Sequence, residues 1–420
     1  MSWNETALGP VPVAVTGMPV DLPTIAYTAC PGKGLNSLDL AQAVFGSPPV
    51  NGLIGNYRSL WVGHARQPEI RSRAASGGVI TQTLAYLLQE GRIEGAVVLC
   101  HGEPEPWLSR PRIATTVQQI MDSAQSVYVP VPVNEILREM AEFEGRLAYV
   151  GLPDQVASLR ELQRLGHPGA RKVEYVLGPY FGTMIYLEGL KSFLSSQGVS
   201  DLRQVQSVRY RAGEWPGYLE VRTIGGRTIR ARKFYYNYLI PFYVTRSTLY
   251  SVDFANELTD LSVGDAWSPE LETRGGGHSV VVVRTAAAEG LVQEMRANGL
   301  LDLEPISADR ALAMHAHMID FKKRGAHIRI GWRRRLGKPV PEYGLRPVSI
   351  PARRVLVEVI ISAIFAVGQT RIARAAAKLI PLSILGPLFH WLRTAWKRAS
   401  KPSKRRGLLE LAFERTNPQP

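Results

Sequence analysis

Three short stretches of the 420-residue chain gather residues that can do chemistry. Ser76-Gly77-Gly78 stands directly ahead of a helical pattern that begins near Val79 and carries Thr81 in its first turn. Unpaired N–H groups and the positive end of a helix there can face an anion, and a dinucleotide phosphate suits the place. A glycine turn packed closely against a sheet gives the same text, so the motif leaves both readings open. Gly151-Leu152-Pro153-Asp154-Gln155 follows a strand-like run, at the edge where open α/β sheets place ligands. Asp154 can cap the next helix there, and Gln155 can hydrogen-bond a flat heteroaromatic ring. Asp253 to Trp267 is rich in polar and turn-forming residues between strands, which suits a ligand rim as well as a series of turns. His315 and His317, with Asp320 nearby, match no metal-ligand spacing, because residues two apart on a helix point about 200° apart. A structural or solvated role is expected for them, and no metal site is assigned. The pattern does not choose a catalytic acid among His101, His278 and Tyr128.

The elements that must position these residues alternate between β-rich and helical runs from about residue 70, the rhythm of βα units. VITQTLAYLLQEG spaces Ile80, Leu84, Leu87 and Leu88 on one helical face and stops at Gly91; GAVVLCH then reads as a buried strand. LAYVG leads into a helix of Val156, Leu159 and Leu162 with Pro153 in its first turn, and VEYVLG into a helix around Met184 to Phe193. YLEVRT-IGG-RTIRARKFYY predicts an antiparallel hairpin. HSVVVVRT predicts another buried strand, and AAAEGLVQEMRANG a helix ended by Gly299. The expected fold is α/β, a mostly parallel sheet flanked by helices, with an inserted antiparallel β portion and a helical basic C-terminal tail.

The formal charge of +14 is unevenly spread. Residues 321–420 hold 22 Lys or Arg against four acids, a surplus of 18 that leaves residues 1–320 at −4. The body is thus slightly acidic and the basic character belongs to an appendage, which argues against a nucleic-acid binder. IRIGWRRRLGKPVPEYG reads as the end of the core and the start of a linker. Beyond it, Val355 to Val367 is apolar but broken by Glu358, and Leu379 to Trp396 contains Pro381 and Pro387. Both fall short of a clean span of roughly 20 apolar residues, so interfacial or re-entrant insertion is expected. Cys30 and Cys100 are the only cysteines, too few for a disulfide framework or a four-thiolate site, and a reducing compartment fits. The Pro-broken N-terminal segment has no basic region followed by an apolar run and reads as a flexible lead-in.

Taken together, these blocks resemble the beta-subunit family of coenzyme F420 (deazaflavin) hydrogenases and dehydrogenases. The resemblance is carried by Glu69-Ile70-Arg71, Arg73 to Val79 with Thr81, Gly151-Leu152-Pro153 with Gln155, Trp215-Pro216-Gly217, Asn256-Glu257-Leu258 with Asp260, Ser262 to Asp265, Ser279 with Arg284-Thr285, Asp320 with Lys322-Lys323, and Gly337 to Tyr343. It covers roughly residues 25–345. It implies a flavin-dependent electron-transfer module holding FAD and a four-iron cluster, with Arg73, Ser76, Gly77, Gly78, Thr81, Gly151, Pro153, Gln155, Asn256, Asp260, Gly264 and Asp265 at or near the cofactor. It divides the chain into a lead-in and ferredoxin-like remnant (1–68), a flavin-binding core (69–345) and a basic amphipathic, membrane-associating tail (346–420).

The departures concern the cluster. Asp154, Phe181, Thr248 and Ser251 stand where the family pattern has cysteines. Hydroxyls and a phenyl ring cannot replace soft thiolates around iron, so no cluster is expected. The expectation is therefore an FAD-dependent, two-electron oxidoreductase with reduced deazaflavin or NAD(P)H as donor. It would act on a small-molecule or lipid-linked substrate, peripheral to the cytoplasmic face of an anionic membrane. The alternative is a non-catalytic scaffold in a polysaccharide or envelope pathway. Absence of flavin would reject the first reading, and loss of function on replacing Gly78 or Asp265 by alanine would reject the second.

Overall fold

The computed structural model describes residues 2–6, 9–13, 23–233 and 235–416. Residues 2–6 and 9–13 pair as a separate hairpin, and the remainder of the expected lead-in up to residue 22 lies outside the described residues. The main sheet is built from β1 (Ser59–Ala65), β2 (Gly95–His101), β3 (Ser109–Ala114), β4 (Leu147–Val150) and β5 (Val173–Pro179). An insert of β6 (Val205–Ala212), β7 (Tyr218–Thr223) and β8 (Thr228–Arg232) follows, before β9 (Leu261–Asp265), β10 (Ser279–Val283) and β11 (Leu301–Pro305) return to the main sheet. Its eight strands run in the order β11-β1-β10-β9-β5-β4-β2-β3.

Strands β2, β4, β5 and β9 are parallel neighbours; β10, β1 and β11 continue antiparallel on one side and β3 closes the other. Five of the eight strands therefore point one way. The simple βα rhythm fails at β10, which is a hairpin-like return rather than a crossover strand. Two expected boundaries also move. β1 lies inside the sheet although it precedes residue 69, and Leu261–Asp265, read as part of a polar rim, is a central strand.

The two-residue period of the strands feeds two cores. Val281 and Val283 face Leu84, Leu87 and Leu291, whereas Val280 and Val282 face Leu60 and Leu312 on the opposite side. Helix α1 (Val79–Gln89) has no side-chain N-cap; Gly78 precedes it at φ 76°. The missing cap forgoes about 1 kcal/mol, but burial of Leu84 and Leu87 contributes about 1.5–3 kcal/mol each. Packing thus holds α1 in place and leaves its first-turn amides available. Helix α2 (Pro153–Arg164) begins at Pro153 as expected, while the next helix starts later than the pattern suggested, at Leu187. The insert forms a three-stranded antiparallel sheet, one strand more than the expected hairpin, over that helix.

The C-terminal part is a set of helices bolted to the body. Helix α3 (Ala308–Asp320) runs through a π-helical turn at Phe321–Ala326 into α4 (His327–Arg335). Ile328, Arg329 and Ile330 are buried, so this stretch is core and not linker. Three helices follow, α5 (Ala352–Gly368), α6 (Arg371–Leu379) and α7 (Leu382–Arg405). Arg354 of α5 reaches Asp320 at 2.7 Å and Glu358 at 2.9 Å, Arg324 reaches Asp320 at 2.7 Å, and Arg329 pairs with Glu358. Arg324, Arg354, Asp320 and Glu358 are fully buried. Glu358, which breaks the apolar run in the sequence, is thus the inward anchor of α5. Further along, a Cβ at Gly368 would lie 2.7 Å from the Pro241 carbonyl, so α5 ends in backbone contact with the insert.

Candidate active site

One cavity of about 2020 Å³ runs from the N-terminus of α1, past the C-terminal ends of β4, β5 and β9, to the underside of α5, α6 and α7. Ser76, Gly78, Thr81, Gly151, Gln155, Gly264 and Asp265 all line it. Gly77 lies between two of them and its N–H donates to Ser279 Oγ at 3.0 Å; a Cβ there would meet the Gly63 carbonyl at 2.6 Å. Gly77 is therefore required by close packing on β1. Gly78 is required by its left-handed backbone. The packing reading of the motif is met at Gly77, and Gly78 sets the turn into α1. Ser76 Oγ donates to the His278 carbonyl at 2.7 Å, which fixes the loop.

Besides Gly77, four expected site residues do not line the cavity. Arg73 is exposed and paired with Asp122 at 2.9 Å. Pro153 is buried in the first turn of α2. Asn256 is fully buried and donates through Nδ2 to the carbonyls of Gly151 (2.8 Å) and Pro179 (3.2 Å), tying two strand ends together. Asp260 accepts from Val176 N at 2.7 Å and pairs with Arg160 at 3.0 Å. Asn256 thus braces the cavity floor from beneath, whereas Asp260 ties β5 to Arg160 of α2. Gln155 lines the cavity, but its amide is already engaged with Leu152 N (2.8 Å) and the Val131 carbonyl (3.2 Å).

Between α1 and the insert lies a cluster that the sequence pattern did not assemble. Arg211 of β6, with a side chain 3% exposed, donates to Asp265 Oδ2 (3.1 Å), Tyr128 Oη (3.2 Å), the Ala75 carbonyl (2.6 Å) and the Pro216 carbonyl (2.7 Å). Lys233 donates to the Tyr128 hydroxyl. Burial pushes the Tyr128 phenol up, but Lys233 and Arg211 pull it further down, to about 8. Burial also lowers the Lys233 ammonium, against the opposing pull of Tyr128. A phenol held between two cations in a cavity wall is a proton donor and acceptor near neutral pH. His101 is bonded to Ser109 and the Ser123 carbonyl, and neither it nor His278 lines the cavity, so of the three candidate acids only Tyr128 does. Alternation gave no signal for Arg211, since it shares the parity of exposed Arg209 and is buried together with Tyr210 and Ala212 at the end of β6; only the nearby Trp215-Pro216-Gly217 marked the region.

The four positions at which the resemblance implies cysteines surround a lysine. Ser251 Oγ donates to Asp154 at 3.3 Å, and the buried Lys322 Nζ lies 2.9 Å from the Thr248 carbonyl and 4.3 Å from the Phe181 ring centroid. Burial raises the Asp154 carboxyl to about 6 against the pull of Lys322, and burial lowers Lys322 to about 7 against Asp154. This donor set contains no thiolate and an ammonium occupies its centre, so it does not fit an iron–sulfur cluster. Among the described residues no group of three His, Cys, Asp or Glu could hold a metal ion. His315 packs against Tyr180 and Phe254, and Asp320 belongs to the buried ion pairs.

Two family profiles match the chain. That for the N-terminal part of the coenzyme F420 hydrogenase/dehydrogenase beta subunit covers residues 60–138, and that for its C terminus covers 144–309. The coenzyme F420 hydrogenase subunit beta of Methanothermobacter thermautotrophicus is 25% identical over 301 residues, which are 69% of this chain and 99% of that protein. The coenzyme F420-dependent sulfite reductase of Methanocaldococcus jannaschii is 27% identical over 263 residues, covering 59% of this chain and 39% of that protein. In the xenon-derivatised F420-reducing [NiFe] hydrogenase complex of Methanosarcina barkeri, one chain superposes with a TM-score of 0.55 at 22% identity, covering 69% of this chain and 97% of that one. That likeness shows the fold. The helices α5, α6 and α7 lie beyond the matched residues.

Proposed function

This chain belongs to the coenzyme F420 hydrogenase/dehydrogenase beta-subunit family, and on that premise we propose that it is an FAD-dependent oxidoreductase without an iron–sulfur cluster, reducing an organic substrate at the cytoplasmic surface of a membrane. The observation that carries the proposal is the single cavity joining an uncapped helix N-terminus to a cation-held tyrosine. The N–H groups of the first turn of α1 suit the flavin's pyrophosphate, with Gly78 allowing close approach. A flavin held there would supply two electrons as a hydride equivalent, with reduced deazaflavin or a reduced nicotinamide as the donor.

The chain's own residues supply the rest. Tyr128 donates the proton that accompanies the hydride, so that a double bond of the substrate gains both. Lys233 and Arg211 stabilise the phenolate left behind, and Asp265 keeps Arg211 in position. Helices α5 and α7 cover the cavity and exclude water, which strengthens these interactions.

The membrane part of the proposal rests on the outer face of the roof. Leu356, Val359, Ile372, Ile384, Leu388 and Trp391 are exposed there. Among the described residues no single helix is long and apolar enough to cross a membrane; α5 and α6 pass that test only as a pair bent by 74°. An apolar face with flanking cations suits the interface of an anionic bilayer. The test of the flavin reading is an absorption spectrum of the chain purified in detergent. Bound flavin, or uptake of added FAD to one equivalent, is expected; a colourless protein that takes up none rejects it.

A further inference from the structure

The cavity is larger than one ligand needs. Its volume of about 2020 Å³ is roughly twice the upper end of an ordinary ligand pocket, about 1,000 Å³. A dinucleotide at α1 therefore leaves a second space, whose lining is chemically distinct. Every lining residue from Ile361 to Leu392, on α5, α6, the joint after it and the N-terminal half of α7, is apolar, and the cations of α7 join the wall only from Arg393 onward. Ile240, Pro241 and Phe242 complete this arm of the cavity. The cations of α6 are drawn elsewhere. Arg374 donates to the Phe242 carbonyl at 2.9 Å and stacks 4.8 Å from the Tyr243 ring centroid, and Lys378 lies 3.7 Å from Glu188. With those two engaged, Ala373, Ala377 and Ile380, four and three residues apart on one helical face, are left against the cavity.

The arm has an exit. Ile364, Val367, Ile380 and Leu392 line the cavity and are also 45%, 65%, 37% and 50% exposed, so the arm opens onto the outer apolar face of the roof. Beside them Ile360, Leu379, Ile384 and Leu388 are exposed without lining the cavity. Leu385 and Phe389 carry the apolar wall inward, packed against the core of the insert. Apolar surface is thus continuous from the outside of the roof to the interior. Such a passage disfavours a polar guest, which would lose its hydrogen bonds to water without replacement, and favours a hydrocarbon chain, which gains with every methylene buried.

We propose that this arm seats a long hydrocarbon chain belonging to the substrate, an amphiphile that enters sideways from the bilayer through the mouth at Ile364, Val367, Ile380 and Leu392 and places its polar, reducible end toward Tyr128. The arm and Tyr128 belong to one cavity, so a chain in the first and a reacting group at the second can be parts of one molecule. A small water-soluble substrate would use neither the arm nor its exit. The roof helices that form the arm lie outside the family-matched residues. The subsite rests on the reaction proposed above and names its substrate class.

The probe is farnesol carrying a photoactivatable diazirine, a neutral amphiphile whose binding does not depend on the cations of α7. It is photolysed with the full chain in phosphatidylcholine nanodiscs, and the labelled residues are read by peptide mass spectrometry. Labelling should concentrate on Phe365, Ile380, Leu385 and Phe389, and an excess of unlabelled farnesol should suppress it. Two variants narrow the passage, Ala377→Phe within the arm and Ile380→Trp at the mouth. Each should reduce the labelling about tenfold, as overfilling a fitted space does, and Ile380→Trp, at a partly exposed position, should do so at an unchanged denaturation midpoint. The same enlargement outside the cavity, Leu379→Trp, should change nothing. The subsite is refuted if unlabelled farnesol does not compete, or if Ile380→Trp is labelled as the wild type is. It is equally refuted if a phosphatidylcholine bearing the diazirine on its acyl chain labels the arm and farnesol does not displace it, which would assign the arm to a resident bilayer lipid. Flavin content is read from the visible spectrum of the same samples. Competable labelling of a flavin-free chain would therefore uphold the subsite while rejecting the flavin reading, and an unlabelled arm in a flavin-loaded chain would do the reverse.

Discussion

On the sheet side of the cavity, Arg211 meets Asp265, Tyr128 and two carbonyls, and the amides of α1 present fixed partial charges from a helix clamped by Leu84 and Leu87. On the roof side, Lys397 and Lys404 share a face with Arg393 and stand on long, flexible stems. The first wall is preorganised by hydrogen bonds; the second is built on side chains with more freedom to move. Fixed donors suit a cofactor that stays, and adaptable cations suit a substrate that comes and goes. The roof needs its own anchor for this, which the Asp320–Arg354–Glu358 chain provides.

The most severe way to break the comparison is to unpin the roof. Glu358→Ala leaves buried Arg329 without its carboxylate and Arg354 with Asp320 alone, and should cost about 3–5 kcal/mol, read by chemical denaturation. Proteolysis should cut α5 to α7 first. A chain that retains wild-type stability would show that the roof is not held this way.

Removing the acid on the opposite wall comes next. Tyr128→Phe should lower kcat about a hundredfold while flavin content is unchanged. A proton donor must be protonated, so with the phenol at about 8 wild-type activity should fall as pH rises through that value. Lys233→Met removes a pull toward the phenolate and should move this limb to higher pH. An unmoved limb would assign the titration to another group.

Smaller still is Gly78→Ala, which forces a Cβ into the left-handed region at about 1–2 kcal/mol and should weaken FAD about tenfold, measured by fluorescence titration. Arg73→Gln marks the lower end: an exposed pair contributes about 0–1 kcal/mol, and neither Tm nor FAD affinity should change measurably.

What was legible in the sequence follows from how local each signal is. The helices at Val79 and Pro153, the strands at Gly95 and Ser279, and the hairpin before residue 233 are carried by periodicity and turn residues, and they stand where expected. The direction of β10 and the membership of β1 depend on pairings far apart in the chain, which periodicity does not encode. Ser76 to Thr81, Gly151 and Asp265 do meet, because strand ends and a helix N-terminus gather in this architecture. Asn256 and Asp260 occur in the same loop text as Asp265, yet Asn256 serves carbonyls under the floor and Asp260 a backbone N–H of β5. Arg211 and Lys233 enter from an insert whose docking no local pattern announces. The roof was legible as basic and amphipathic, but its inward face was not, since Glu358 gains meaning only beside Arg329 and Arg354.

The π-helical turn at Phe321–Ala326 sends three successive cations to three destinations. Lys322 goes to the Thr248 carbonyl, Lys323 to Glu257 at 2.5 Å, and Arg324 to Asp320 and the carbonyls of Lys404 and Arg406. A widened turn accommodates an extra residue relative to regular α-helix. Deleting one residue there would rotate everything downstream by about 100°, so the hub that joins catalytic floor, strand connection and C-terminal cover would lose its phase at a single stroke.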